Sequence, residues 1–158
     1  MASIDRSDPV ILSHVLAEHR DLFNLMQTVR SAWTEPGMPL PQRRRAVVAS
    51  LRFLRDHLHE HFVQEERGGF LEEAVARVPR LSRAVRSIVG QHASLLAELD
   101  GVIEGLDSPP AADDATAQAS WQRAGDAFAE FAAHMTAHER AENTVVQDGY
   151  NEDLGLVE

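Results

Sequence analysis

Six residues of this chain have the types and the spacing of metal ligands. An inward-facing histidine and glutamate four positions apart occur in two segments, and each of these segments follows one that carries a single inward-facing histidine. Side chains four positions apart on an α-helix differ in direction by only about 40°, so each pair shares one helix face. This order predicts two equivalent helix pairs that supply one site. The six candidate ligands are His19, His61, Glu65, His92, His138 and Glu142.

The two glutamates are difficult to explain by packing alone. A carboxylate inside a helical bundle destabilises the fold unless an opposite charge or a metal ion compensates it. The apolar stripes that contain Glu65 and Glu142 include no Lys or Arg. A lone inward histidine is more often a hydrogen-bonded core residue than a ligand, but here four helices each direct one histidine to a common core. The constellation therefore favours a metal site.

The types of donor atom limit which metal ions the site can bind. Two carboxylates on different helices can bridge two cations, while imidazoles bind each cation terminally. Imidazole and carboxylate donors without sulfur suit iron or manganese, and zinc can substitute for them. The chain has no Cys, so disulfides, thiol nucleophiles and iron–sulfur clusters are excluded.

Three further residues lie on the flanks of the same stripes. His57 and His134 precede an inward histidine by one helical turn, and Glu139 lies on the other flank of the last stripe. An imidazole at such a position can either bind the metal or act as an acid beside a ligand of the metal. All three residues are therefore candidates for additional ligands or supporting groups.

Other polar residues near the stripes have different expected roles. A ligating histidine donates its other ring nitrogen to an acceptor, and Glu18, Glu60 or Glu139 can supply one. The helical phase turns another set of side chains by about 140–160° from the inward residues, so we expect them to face solvent. This set is His14, His59 and Glu66.

The fold that positions these residues is predicted to be all-α. Four segments have apolar residues at helical spacing, no stretch alternates as a strand does, and Gly- and Pro-rich segments separate the four. The pattern predicts an up-down-up-down four-helix bundle over about residues 9–147. The segment at 70–78 predicts a short extra helix between the second and third helices, or a continuation of the second through a kink at Gly68 and Gly69.

Composition agrees with one domain over residues 1–158. The 158 residues, 44% of them hydrophobic, suffice for one core, and the net charge of −10 disfavours nucleic acid and anionic membranes as partners. No apolar run approaches the roughly 20 residues of a membrane span, and the N-terminus lacks a signal-peptide pattern. We therefore expect a cytoplasmic protein whose acidic tail, 148–158, is a frayed end.

The motifs resemble those of the hemerythrin-like (HHE) domains over roughly residues 9–147. The similarity rests on LAEHRDLF around His19, HFVQEE at 61–66, GQHASLL around His92 and HERAEN at 138–143. It implies a non-heme site with two iron ions and an oxo or hydroxo bridge. It also implies reversible dioxygen binding, sensing of oxygen, iron or redox state, or the handling of nitric oxide, peroxide and iron in stress responses.

The third and fourth helices depart from the pattern of oxygen-carrying hemerythrins. Those proteins have a second histidine one turn from the one on the third helix, where this chain has Ile88 and Leu96. They also use HxxxxD on the fourth helix. The pair formed by His138 and Glu142 is HxxxE, whereas His134 and Glu139 have the HxxxxD-type spacing, so the register stays open.

The number of histidine ligands decides which chemistry the resemblance implies. Six protein ligands and one oxo bridge give each iron five ligands and one vacancy, which suits ligand binding. If His57 and His134 also bind, both irons become six-coordinate, which favours electron transfer or storage. The sequence leaves both alternatives open. Because the six-residue set already satisfies the family pattern, we favour a role for His57 and His134 as acids beside a bound oxygen species.

Three functions follow from this resemblance. The first is a diiron protein that binds dioxygen or another small ligand as a sensor or store. The sequence identifies no protein partner for it. The second is a stress-response enzyme that decomposes peroxide, reduces nitric oxide or donates iron for cluster repair. The chain lacks the Cys-bearing N-terminal region that a repair role calls for. The third is an iron-sensing or partner-binding module that folds only with metal.

Overall fold

The computed structural model describes residues 8–107 and 113–155, and these ranges contain helices and no strand. The helices are α1 (Asp8–Trp33), α2 (Leu40–Arg67), α3 (Phe70–Arg77), α4 (Ser82–Asp107) and α5 (Asp114–Gly155). The long helices α1, α2, α4 and α5 pack around one core, each against two neighbours. The predicted all-α four-helix bundle is therefore confirmed. None of the described helices combines the length and the hydropathy of a membrane span.

The segment after α2 forms a separate helix and does not continue α2 through a kink. The N–H of Gly68 donates to the carbonyl of Gln64 at 2.7 Å, and Gly69 adopts a left-handed conformation with φ of 77°. A residue with a Cβ rarely adopts this conformation, so Gly69 breaks the helical path at low cost. Helix α3 then begins at Phe70, and a single 3-10 turn at Pro79–Leu81 leads into α4.

Two apolar clusters fill the bundle, one on each side of a polar layer. The first cluster includes Leu22 and Leu95, and the second includes Val15 and Ile88. On α1 and α4 these residues lie one turn to either side of the inward histidine. The histidines therefore lie between two apolar clusters, where water is largely excluded.

The C-terminal part of the chain is more ordered than the sequence indicates. Helix α5 continues through the predicted tail to Gly155, and Tyr150 is 1% exposed. Its hydroxyl donates a hydrogen bond of 2.6 Å to the carbonyl of Phe70 on α3. The expectation of a frayed end from residue 148 is therefore wrong as far as Tyr150. The predicted tail's last residues, 156–158, lie outside the described ranges.

Candidate metal centre

The six candidate ligands are all buried in the layer between the two apolar clusters. Their relative exposures lie between 0% for Glu142 and 6% for His19 and His61. Helices α1 and α4 each contribute one histidine, and α2 and α5 each contribute one histidine and one glutamate. The helical phase read from the sequence thus places all six side chains inside the bundle.

Glu65 lies between histidines of two different helices. Its Oε1 atom contacts Nε2 of His61 on the same helix, one turn away. Its Oε2 atom is 2.9 Å from Nε2 of His92 on α4. The two oxygens of this carboxylate therefore face different histidines, as a bridging ligand between two cations requires.

Glu142 has the corresponding position on α5, with longer distances. Its Oε1 atom is 3.4 Å from Nε2 of His19, and its Oε2 atom is 3.7 Å from Nε2 of His138. Each glutamate therefore lies between one histidine of its own helix and one of another helix. The register that brings a carboxylate into the layer is the HxxxE pair of His138 and Glu142.

The donor atoms form two groups, and within each group all atoms lie within 4.8 Å of one another. The first group is His19, His61, Glu65 and Glu142, and the second group is Glu65, His92 and His138. Because Glu65 belongs to both groups, the arrangement fits a dinuclear site with a shared carboxylate.

The buried donor atoms lack the hydrogen bonds that such atoms normally make. Among the described residues, Nε2 of all four histidines and both oxygens of Glu65 and Glu142 have no hydrogen-bond partner of normal geometry. Unsatisfied buried polar atoms are costly and rare in native proteins. Metal ions in the layer would satisfy all of these atoms together, so the donor set fits a pair of cations.

Two of the ligand histidines contact supporting residues through Nδ1, the ring nitrogen that does not face the glutamates of the layer. Nδ1 of His61 lies 3.0 Å from Oε2 of Glu18, and Nδ1 of His138 lies 2.8 Å from Oε1 of Gln91. A donor hydrogen on Nδ1 leaves Nε2 free for a metal. The expected role of Glu18 is thus consistent with its position, whereas sequence reasoning missed Gln91.

The predicted exposure of Glu66 is correct, but the prediction missed its contact with His92. It is exposed, as its helical phase indicates, but its Oε1 atom lies 3.1 Å from Nδ1 of His92. A long side chain on the flank of a helix can turn back toward a neighbouring helix, and its phase does not reveal this. Of the other expected acceptors, Glu60 is exposed and Glu139 half-buried. Neither bonds to a ligand histidine in the described ranges.

The flanking histidines lie outside both donor groups. His57 is half-buried, whereas His134 is exposed and its Nδ1 atom is 2.6 Å from Oε1 of Glu98. Glu139 is also outside the groups, and burial raises the pKa of its carboxyl. The described geometry therefore separates these three residues from the six in the layer.

A sequence comparison identifies the family. The profile of the Hemerythrin HHE cation binding domain matches residues 10–148. The chain belongs to this family. Comparisons with curated proteins and with solved structures gave no significant match.

In this hemerythrin domain, helix α4 contributes a single histidine, His92, to the second donor group. Ile88, one turn before His92, is 1% exposed and packs in the second apolar cluster. Leu96, one turn after His92, is partly buried against the first cluster. Both positions therefore supply packing surface instead of ligands.

Phe62 covers the second group on the side of the first apolar cluster. Its ring stacks on His92 with a centroid distance of 3.9 Å and an interplanar angle of 8°. Its edge contact with His138 has a centroid distance of 5.5 Å. The ring fixes the planes of both imidazoles and excludes water from that side. The sequence signal for this role was only an aromatic residue adjacent to His61.

In the metal-free layer, burial and the charges of neighbouring groups both shift the pKa values of the ligands. Burial lowers the pKa of His61, but contact with Glu65 and the charges nearby outweigh it and raise that pKa to about 9. Against burial, His61 and His92 hold the pKa of Glu65 well below its usual range. Burial raises the pKa of Glu142 to about 7, and burial lowers that of His138 to about 4. A metal must therefore displace protons from the layer.

Two cavities reach the layer from opposite sides. The first cavity, about 350 Å³, is lined by ten residues that include His14, Glu18, His61, Arg67 and Glu142. The second cavity, about 270 Å³, is lined by residues of α4 and α5 and ends at His138. Each donor group is thus open to one cavity.

Proposed function

We propose that this hemerythrin domain is a non-heme diiron protein that binds dioxygen or a related small ligand, as a sensor or a store. The observation that carries the proposal is the position of Glu65 and Glu142, each between histidines of two helices, in a buried layer that a cavity connects to the surface. When bound, an iron pair supplies reversible electron exchange with a small diatomic ligand.

The six buried residues would divide between two ions. His19 and His61 would hold one ion, and His92 and His138 the other. Glu65 belongs to both donor groups and would be shared, whereas Glu142 belongs to the first group and has its Oε2 atom 3.7 Å from Nε2 of His138. Six protein donors leave each ion short of octahedral coordination, which supports binding of an external ligand. The exposure of His134 and the absence of His57 from the donor groups favour this open arrangement over a saturated one.

The remaining residues keep the site selective for small molecules. Glu18 and Gln91 orient two of the histidines, and Phe62 closes the layer on one side. The first cavity, about 350 Å³, gives a small ligand access to the layer, while the apolar clusters cover the layer on two sides.

A second candidate function, peroxide decomposition, is favoured by one observation. Glu18 lies between exposed His14, at 3.8 Å, and buried His61, at 3.0 Å. This series of contacts connects the layer with solvent and suits the proton delivery that peroxide turnover requires.

The test compares metal content and optical spectra under defined gas atmospheres. Protein loaded with ferrous iron should contain close to two irons per chain, and air should produce near-ultraviolet bands that disappear when oxygen is removed. Irreversible band formation with catalytic loss of added peroxide would favour the enzyme instead. One ion per chain at saturation would contradict the dinuclear site.

A further inference from the structure

The outer rim of the first cavity carries a histidine–glutamate pair, of which only the glutamate contacts a ligand of the metal layer. His14 and Glu18 line this cavity and are four residues apart on α1, the same spacing as the two HxxxE pairs in the layer. The side chain of His14 is 68% exposed, and that of Glu18 is 26% exposed. The pair therefore lies where the cavity meets solvent.

The distance between these two side chains suits a shared cation. Nε2 of His14 is 3.8 Å from Oε1 of Glu18. Two such atoms can both lie about 2.1 Å from one divalent ion, which is the usual bond length for imidazole and carboxylate ligands to zinc. The other oxygen of Glu18 stays 3.0 Å from Nδ1 of His61, so the same carboxylate contacts both the rim and a ligand of the layer.

The inner end of the cavity offers an independent sign of a cation path. Glu142 lines the cavity, is 0% exposed, and neither of its oxygens has a hydrogen-bond partner among the described residues. Glu65 lines the same cavity. An ion held at the rim therefore has unsatisfied carboxylate oxygens ahead of it in the same enclosed space.

The charges around the cavity favour a cation over an anion. Three glutamates line it, Glu18, Glu65 and Glu142, against one arginine, Arg67, and two histidines, His14 and His61. A cavity with apolar walls and a predominance of one charge concentrates ions of the opposite sign. Arg67 opposes this attraction and should slow the entry of cations.

We propose that His14 and Glu18 form a capture site through which a divalent metal ion enters the buried layer. The ion binds first to this exposed pair and then passes along the first cavity to His61, Glu65 and Glu142. This inference rests on the proposed function, because it requires that the layer holds metal.

The experiment measures the rate at which metal-free protein takes up ferrous iron without oxygen. Samples are stopped at fixed times with excess chelator, desalted, and their bound iron is measured by mass spectrometry. The variant His14→Ala should load several-fold more slowly than wild type, with the same final iron content and absorption spectrum. His14→Asn serves as a second variant, and circular dichroism verifies that each variant is folded.

Of two further variants, one is a matched control and the other tests the effect of charge on loading. His59 is an exposed histidine on α2 that does not line the cavity, so His59→Ala should load at the wild-type rate. Arg67→Gln should load faster than wild type, because it removes the one arginine of the cavity lining. Added salt should slow wild-type loading, since it screens the attraction.

The outcomes show whether the capture site alone or the proposed function as well must be rejected. If both His14 variants load at the wild-type rate, the capture site is refuted and the metal layer is unaffected. A slower rate in His134→Ala but not in His14→Ala would place entry at the second cavity. A lower final iron content in His14→Ala would make His14 a resident ligand, which contradicts capture. If wild-type protein takes up no iron, the proposed function fails and the capture site fails with it.

Discussion

The two glutamates of the layer have equivalent sequence positions but different electrostatic surroundings. Glu65 is in close contact with two histidines, and its pKa is well below the usual range. The histidines nearest Glu142 are 3.4 and 3.7 Å away, and burial raises the pKa of its carboxyl to about 7. Without metal, Glu65 is therefore ionised at neutral pH, whereas Glu142 is partly protonated.

At the residue scale, we expect the two glutamates to control metal content. Glu65→Ala and Glu142→Ala should each lose at least one ion per chain, because Glu65 belongs to both donor groups and Glu142 to the first. Glu66→Ala should keep both ions with an affinity about 10-fold to 100-fold lower, since Glu66 only supports His92. Competition titration against a chelator measures these affinities, with exposed Glu60→Ala as the control. Equal losses in all four variants would contradict the assigned roles.

A second prediction at this scale concerns His57 and His134. The double variant His57→Ala/His134→Ala should keep both ions, because neither histidine belongs to a donor group. The lifetime of the dioxygen-bound or peroxide-bound form should change, because these histidines would act as acids beside the bound ligand. Metal analysis and stopped-flow spectroscopy measure the two effects. Loss of iron from the variant, together with a wild-type spectrum that azide does not change, would show a saturated site.

At the scale of the helices, the contact between α3 and the end of α5 stabilises the second apolar cluster. Tyr150 is buried there and donates its hydroxyl hydrogen bond to Phe70 on α3. Gly149 faces Ala74, and a Cβ added at Gly149 would be 2.6 Å from the Cβ of Ala74. The close approach of these two helices therefore requires a glycine at position 149.

The requirement for Gly149 can be tested with a matched glycine. Gly149→Ala should lower the free energy of unfolding by about 1–3 kcal/mol, because the added methyl group overpacks the contact. Gly101 on α4 has open space around it, so Gly101→Ala should raise the same quantity by about 0.5–1 kcal/mol through helix propensity. Urea unfolding of the metal-free protein measures both. Equal effects of the two substitutions would mean that α3 does not pack against α5 in solution.

At the scale of the whole molecule, the metal-free protein should become less stable as the pH rises from about 6.5 to 9. The folded-state pKa of His61 is about 9, above its ordinary value of 6.5, so its stabilising contribution is complete below 6.5 and lost through pH 9. Glu142, with its pKa raised to about 7, acts in the same direction because its ionised form is disfavoured in the fold. His138 acts in the opposite direction but only near pH 6.5, because folding lowers its pKa from 6.5 to about 4 and it is neutral in both states at higher pH.

The metal-loaded protein should show the opposite trend over the same pH range. Metal binding requires neutral imidazoles and ionised carboxylates, so the affinity increases as the layer loses protons. Bound metal stabilises the fold by mass action, and its contribution should therefore grow with pH. Thermal unfolding at pH 6.5, 7.5 and 9, with and without iron, measures both trends. Parallel trends would show that the metal does not bind at these histidines.

The sequence by itself determined the helices, the family resemblance and the inward direction of the six layer residues. Helical phase is a local property, because the rotation per residue is nearly constant and an apolar stripe identifies the buried face. A residue such as His92 can therefore be placed on the inside from its neighbours alone. The same reasoning correctly placed His59 on the surface.

Only the tertiary structure decided which atoms meet across helices. Glu66 turns back to His92, Gln91 holds His138, and Tyr150 anchors α5 to α3, and none of these contacts follows from helical phase. The tertiary structure also located the cavity rim at His14. These features depend on how helices approach one another and on the reach of long side chains, which are set by packing between segments distant in sequence.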